Sequence, residues 1–245
     1  MKHDETPPRG STPVVVARTG VANLASVRAA FARLGRETAP TSDPEAFARA
    51  PLAVLPGVGA FGPAMETLRA TGLDEAVRRR LARGLPTLAI CLGFQLLLEG
   101  SEEAPGLAGL GLVPGVARRF GEGVRIPQLG WNRVAPEADD GSALVEEGWA
   151  CFANSYRLDS CDAALARAAG WRPALAEYGG AFVAALERGT ALACQFHPEL
   201  SGAWGAALLR RWLERADAAV TGGRGTGPDG RRSLSEAVSV AGASR

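Results

Sequence analysis

The first hundred residues alternate between two apolar patterns. Residues 13–17 (PVVVA), 52–55 (LAVL) and 87–91 (TLAIC) are short apolar runs, as expected of strands covered on both faces. Between the first two, Leu24, Val27, Phe31 and Leu34 recur at helical spacing, with Asn23 at the N-cap position and Gly35 at the stop. A second helical stretch is expected over 63–84, broken near Gly72, and a helix over about 93–99 follows the third strand directly. Strands that alternate with helices imply a parallel sheet covered on both faces. The pattern then changes. Residues 124–134, 150–156, 175–178, 181–186 and 192–196 read as shorter strands, some in hairpins. A last helix, 201–216, carries Trp204, Leu208 and Trp212 on one face. The expected fold class is α/β: a mostly parallel sheet with helices on both faces, plus antiparallel strands in the second half.

The ends differ from this body. Residues 1–12 are polar and Pro-rich, and read as a flexible leader; residues 221–245 are rich in Gly, Ser and Arg, and read as a disordered tail. That leaves 13–220 as one domain. The 245 residues are 47% hydrophobic and 22% charged, with net charge +1. Such a chain can bury a core, is not a disordered one, and offers no electrostatic reason to bind nucleic acid. No apolar run approaches the roughly 20 residues of a membrane span, and no basic N-terminus leads into an apolar stretch. The four cysteines (Cys91, Cys151, Cys161, Cys194) and two histidines (His3, His197) form no C-x-x-C and no cluster. No metal site and no disulfide framework are expected, and a reducing cytoplasm fits.

Three stretches carry chemistry. Gly57-Val58-Gly59-Ala60-Phe61-Gly62 follows a strand and matches G-x-G-x-x-G letter for letter. A dinucleotide loop is rejected on three grounds. It belongs in the first strand–helix unit, Pro56 interrupts the join, and Arg78-Arg79-Arg80 stand where an acid should end the next strand. A plain Gly-rich turn or a set of backbone N–H groups facing an anion remain. In Thr87-Leu88-Ala89-Ile90-Cys91-Leu92-Gly93-Phe94-Gln95, a buried strand runs into a cysteine with small residues two before and two after, and a helix follows. That is the layout of a nucleophile elbow, with the thiol at the positive end of a helix dipole. Alone, it fits a buried structural cysteine better. Gln195-Phe196-His197-Pro198-Glu199 supplies the complement. In an extended strand His197 and Glu199 share a face, so the carboxylate orients the imidazole. Cys91, His197 and Glu199 then form a nucleophile–base–acid triad.

The sequence resembles the class I (triad) glutamine amidotransferases, and within them the glutaminase subunits of imidazole glycerol phosphate synthase. The likeness covers roughly 13–216. It rests on PGVGAFG (56–62), ICLGFQLL (90–97), SEE (101–103), GLGLVPG (109–115), IPQLGWN (126–132), FANSY (152–156), YGG (178–180) and QFHPELS (195–201). The resemblance implies a flavodoxin-like fold, no cofactor and a cytoplasmic enzyme of histidine biosynthesis. It implies that Cys91 attacks the glutamine side-chain amide, with His197 as base then acid and Glu199 behind it. The oxyanion would be held by backbone N–H groups of Leu92 and the Gly57-Val58-Gly59 strand, which needs reorientation by the partner. Gln95, Asn154, Ser155 and Tyr156 would bind glutamine. Ammonia would pass to a (β/α)₈ cyclase subunit in a heterodimer, with Asn23, Gln128, Trp131 and Asn132 at that interface. Ala89, Arg18-Thr19, Gln128, Asn154 and Leu200 depart from the usual pattern of the family. Two other readings stay open: a triad amidotransferase serving another acceptor, and a non-catalytic regulatory subunit of the same fold.

Overall fold

The first apolar run forms β1 (Val14–Ala17), and the helical repeat after it forms α1 (Leu24–Arg33), closed by Gly35 at φ 70°. The computed structural model describes residues 12–19, 24–137 and 143–222. Asn23, residues 1–11 of the expected leader and 223–245 of the expected tail lie outside the described residues.

Two elements follow that hydrophobic periodicity does not announce: β2 (Thr38–Thr41) and α2 (Pro44–Arg49). β2 is a polar sheet edge containing Pro40, as edge strands tolerate. α2 is only six residues, too short to show a repeat, and is signalled instead by its cap. Asp43 accepts the Glu45 N–H at 2.9 Å, and Pro44 fills the first turn. Then come β3 (Leu52–Gly57), α3 (Phe61–Thr71), α4 (Leu73–Ala82), β4 (Thr87–Cys91) and α5 (Leu92–Leu96). The expected break falls at Gly72, whose φ of 74° closes α3 and opens α4. α5 is five residues long, shorter than the sequence implies.

The second half holds β5 (Gly100–Ser101), β6 (Val116–Arg119), β7 (Gln128–Pro136), β8 (Gly148–Asn154), β9 (Tyr156–Asp159), α6 (Ala163–Ala168), β10 (Arg172–Glu177), β11 (Ala181–Arg188), β12 (Ala191–Cys194) and α7 (Gly202–Gly222). The single run expected over 150–156 is broken at Ser155 into β8 and β9. The last helix runs to Gly222 rather than stopping near 216, with Arg36 ion-paired to Asp217 beneath it.

One sheet contains every strand of the described residues, in the order β2-β1-β3-β4-β12-β11-β10-β7-β8, with β9 on β11, β6 on β9 and β5 on β6. Pairing is parallel from β2 through β12 and antiparallel onward to β8. Alternate residues of the parallel strands enter two apolar layers. Ala53, Leu55 and Ala89 face Phe47, Leu68, Val77 and Leu97 on one side. Val16, Leu52, Val54 and Ile90 face Phe31, Leu208 and Trp212 of α1 and α7 on the other. The carboxyl ends of β3, β4 and β12 emerge side by side, the position where open α/β sheets hold their ligands. Among the described residues no helix is long and apolar enough to cross a membrane.

Candidate functional site

β4 ends on Cys91, and the chain turns into α5 without an intervening loop. The turn puts Cys91 at φ 53°, ψ −110°, the one positive φ outside glycine among the described residues. Strain of this kind persists only where surrounding packing enforces it. Here the packing is visible. A Cβ on Gly93 would lie 2.0 Å from the Leu55 carbonyl oxygen, and one on Gly57 would lie 2.7 Å from the Gly93 nitrogen. One glycine from each motif, Gly57 and Gly93, therefore serves the same contact: β3 pressed against the elbow, in register Gly57 opposite Cys91. The G-x-G-x-x-G match is part of this wall.

His197 lies three residues past β12, and its Nδ1 is 2.8 Å from Glu199 Oε1. The expected strand geometry is corrected here. Residues 198–200 form a 3₁₀ turn with Pro198 in its first position, where no N–H is needed. Glu199 reaches the imidazole by curling under it, not by sharing a pleated face. The backbone is pinned on both sides: the His197 N–H donates to the Cys151 carbonyl at 2.8 Å, and its carbonyl accepts from Ser201 Oγ at 2.6 Å. Both side chains are almost fully buried. Burial disfavours the imidazolium. Hydrogen bonds to Cys91 and Glu199, with their charges, outweigh it and push the His197 pKa up to about 10. Glu199 Oε2 is buried without a hydrogen-bond partner.

Cys91 and His197 open onto a pocket of about 250 Å³. Of the residues expected to hold an oxyanion, Val58, Gly59 and Leu92 line it, while Gly57 sits behind them against α5. All four expected substrate residues, Gln95, Asn154, Ser155 and Tyr156, line it too. Gln95 spends its amide hydrogens internally: Nε2 donates to the Tyr156 carbonyl at 3.1 Å and to Gln195 Oε1 at 2.8 Å. Asn154 Nδ2 donates to the same carbonyl at 2.9 Å, and its Oδ1 is buried without a partner. Sequence reasoning missed Glu103, which also lines the pocket and accepts the Phe61 N–H at 2.8 Å. The SEE motif was its only signal.

Among the described residues, Gln128, Trp131 and Asn132, all expected at a partner interface, do not form one patch. Trp131 is 56% exposed, on the β7–β8 face that also shows Leu129 and Trp149. Asn132 is half-buried and donates to the Glu177 carbonyl at 2.8 Å. Gln128 is buried and stands opposite Asn154 in the β7–β8 register.

Residues 33–216 match the family described as glutamine amidotransferase class-I. The chain is 42% identical over 201 residues to imidazole glycerol phosphate synthase subunit HisH of Symbiobacterium thermophilum, covering 81% of this chain and 92% of that protein. It is 46% identical over 199 residues to the subunit HisH of Thermus thermophilus, covering 80% and 95%. The chloroplastic imidazole glycerol phosphate synthase hisHF of Arabidopsis thaliana is 38% identical over 198 residues, 79% of this chain and 33% of that longer protein. Among solved structures, a glutamine amidotransferase superposes with TM-score 0.63 at 22% identity, covering 83% of this chain and 98% of that one. The glutaminase domain of Trypanosoma brucei CTPS, with bound acivicin, gives 0.64 at 16%, covering 84% and 94%. At these identities the structural likeness speaks for the fold.

Proposed function

The chain belongs to the class I glutamine amidotransferases, in the family of HisH glutaminase subunits of imidazole glycerol phosphate synthase, and on that premise we propose that Cys91, His197 and Glu199 hydrolyse glutamine in it and that the ammonia passes to a cyclase subunit in a heterodimer. One observation carries the assignment of residues. Cys91 stands on a strained elbow facing an imidazole whose far nitrogen is held by Glu199 at 2.8 Å, in a pocket of about 250 Å³.

Near neutral pH His197 faces Cys91 as an imidazolium, since its pKa is about 10. The sulfur, as thiolate, attacks the side-chain carbonyl carbon of glutamine. The oxyanion turns toward the Leu92 N–H and the backbone of residues 57–59. One such donor is typically worth about 2.7–4 kcal/mol. His197 gives its proton to the nitrogen, the C–N bond breaks, and ammonia leaves a glutamyl thioester on Cys91. Neutral His197 then takes a proton from water, the hydroxide adds to the thioester, and the C–S bond breaks to release glutamate. Glu103 has one oxygen on the Phe61 N–H and one left for the substrate's α-ammonium; Asn154 Oδ1 is a second unspent acceptor. A cytoplasmic setting suits four cysteines that are all free thiols.

The test is glutamate release by the chain with and without a cyclase subunit and its nucleotide ligand, phosphoribulosyl formimino-carboxamide ribonucleotide. The expected result is slow release alone and faster release in the complex, abolished by Cys91→Ala, with ammonia-dependent synthesis by the cyclase retained. Release no greater than that of Cys91→Ala in the full complex would overturn the reading.

A further inference from the structure

We propose that Gln195 is a further catalytic residue of this site, its side-chain amide donating a hydrogen bond to the Cys91 sulfur and holding it as the attacking thiolate. The proposal rests on the glutaminase reading for its chemistry and on separate geometry for its residue. Gln195 is fully buried, immediately after β12, and its backbone N–H is fixed to the Ala184 carbonyl at 2.8 Å. Its Nε2 lies 3.7 Å from Cys91 Sγ, within hydrogen-bond range for sulfur.

The direction of the amide follows from its neighbours. The Tyr156 carbonyl can only accept, so the Gln95 nitrogen must face it. The second hydrogen on that nitrogen goes to Gln195 and requires oxygen there. The nitrogen of Gln195 is thereby left pointing at the sulfur. Asn154 also donates to the Tyr156 carbonyl and so anchors the start of the chain. An amide in this place would be costly to bury unless paired, and both its ends are paired.

A hydrogen bond donated to the charged form of an acid favours that form. The five residues of α5 offer only a short stack of aligned dipoles, so the thiolate needs other support. His197 approaches from the triad side. Gln195 reaches the sulfur from the buried interior, linked through Gln95 to the 154–156 segment that lines the pocket. The amide cannot accept the proton that sulfur would lose, so it stabilises the anion without acting as a base.

The experiment uses the full chain with a cyclase subunit and its nucleotide ligand, in wild-type, Gln195→Met and Gln195→Glu forms. The rate of Cys91 alkylation by iodoacetamide is followed against pH by mass spectrometry of the Cys91 peptide, beside kcat and KM for glutamine. Both variants should move the alkylation midpoint upward by about one pH unit or more. Both should lower kcat roughly tenfold or more while KM changes by less than about threefold. Gln195→Glu keeps the shape and the bond from Gln95, so it carries the test if Gln195→Met fails to fold. An unmoved midpoint in a folded variant overturns the proposal, as does a rise in KM alone. Alkylation needs no glutamine. A wild-type complex that releases no glutamate would therefore sink the glutaminase reading while the midpoint shift still upheld the Gln195–sulfur bond.

Discussion

The proton on His197 is held by its neighbours on two sides, Cys91 and Glu199, against the pull of burial. Because the folded pKa of about 10 lies above the ordinary 6.5, this group stabilises the fold. The contribution is complete below pH 6.5 and is lost as pH rises toward 10. Glu199→Gln removes one of the two partners, so the His197 midpoint should fall well below 10, and kcat with it. The chain contains only one other histidine, His3, so an NMR titration of the ring resonances can follow the change. That Cys91, His197 and Glu199 meet was legible because the grouping is written in adjacent letters: a small–x–Cys–x–small turn and a His-Pro-Glu. Glu103 and Gln195 were not. Each acts on residues far along the chain, and neither has a local pattern that separates it from an ordinary polar residue.

At the scale of elements, Arg78-Arg79-Arg80 stand side by side in α4, but the three have different fates. Arg78 donates to the Leu110 carbonyl and Arg79 pairs with Glu45, while Arg80 is fully buried. Arg80 donates to the carbonyls of Phe47, Ala50 and Pro86 at 2.5–2.8 Å and to Thr87 Oγ1 at 3.2 Å. It thus ties the end of α2 and the start of β4 to α4. Burial pushes its pKa down to about 10, still charged at neutral pH. Arg80→Met leaves those carbonyls without donors and should cost roughly 3 kcal/mol or more in chemical denaturation. Glutaminase kcat should hold wherever the variant is folded, because Arg80 lies at the opposite end of β4 from Cys91. The long and apolar elements were legible from periodicity: β1, α1, β3, the α3–α4 pair, β4 and α7. β2, α2, β5 and β6 were not, being too short, too polar or at an edge.

For the whole molecule, the β7–β8 face presents Leu129 at 64%, Trp131 at 56% and Trp149 at 58% exposure. Large apolar side chains grouped this way mark an interaction surface, and aromatic anchors carry most of the energy of such contacts. Trp131→Ala should weaken association with the cyclase subunit at least about tenfold by titration calorimetry. Trp131 stands opposite Cys151, whose carbonyl holds the His197 N–H, so the same variant should reduce the stimulation of glutamate release by the cyclase. The sequence by itself determined the alternation of buried strands and helices, the elbow, the pairing of His197 with Glu199 and the family, since each is set by short-range pattern or residue chemistry. Only the tertiary structure decided that β12 lies parallel beside β4, which brings residues about a hundred positions apart to the same sulfur. It also decided that Pro198 starts a turn instead of extending a strand, and that Gln128 faces inward while Trp131 faces out. Those outcomes depend on sheet order and on which surfaces meet, and neither is encoded in the spacing of neighbours along a chain.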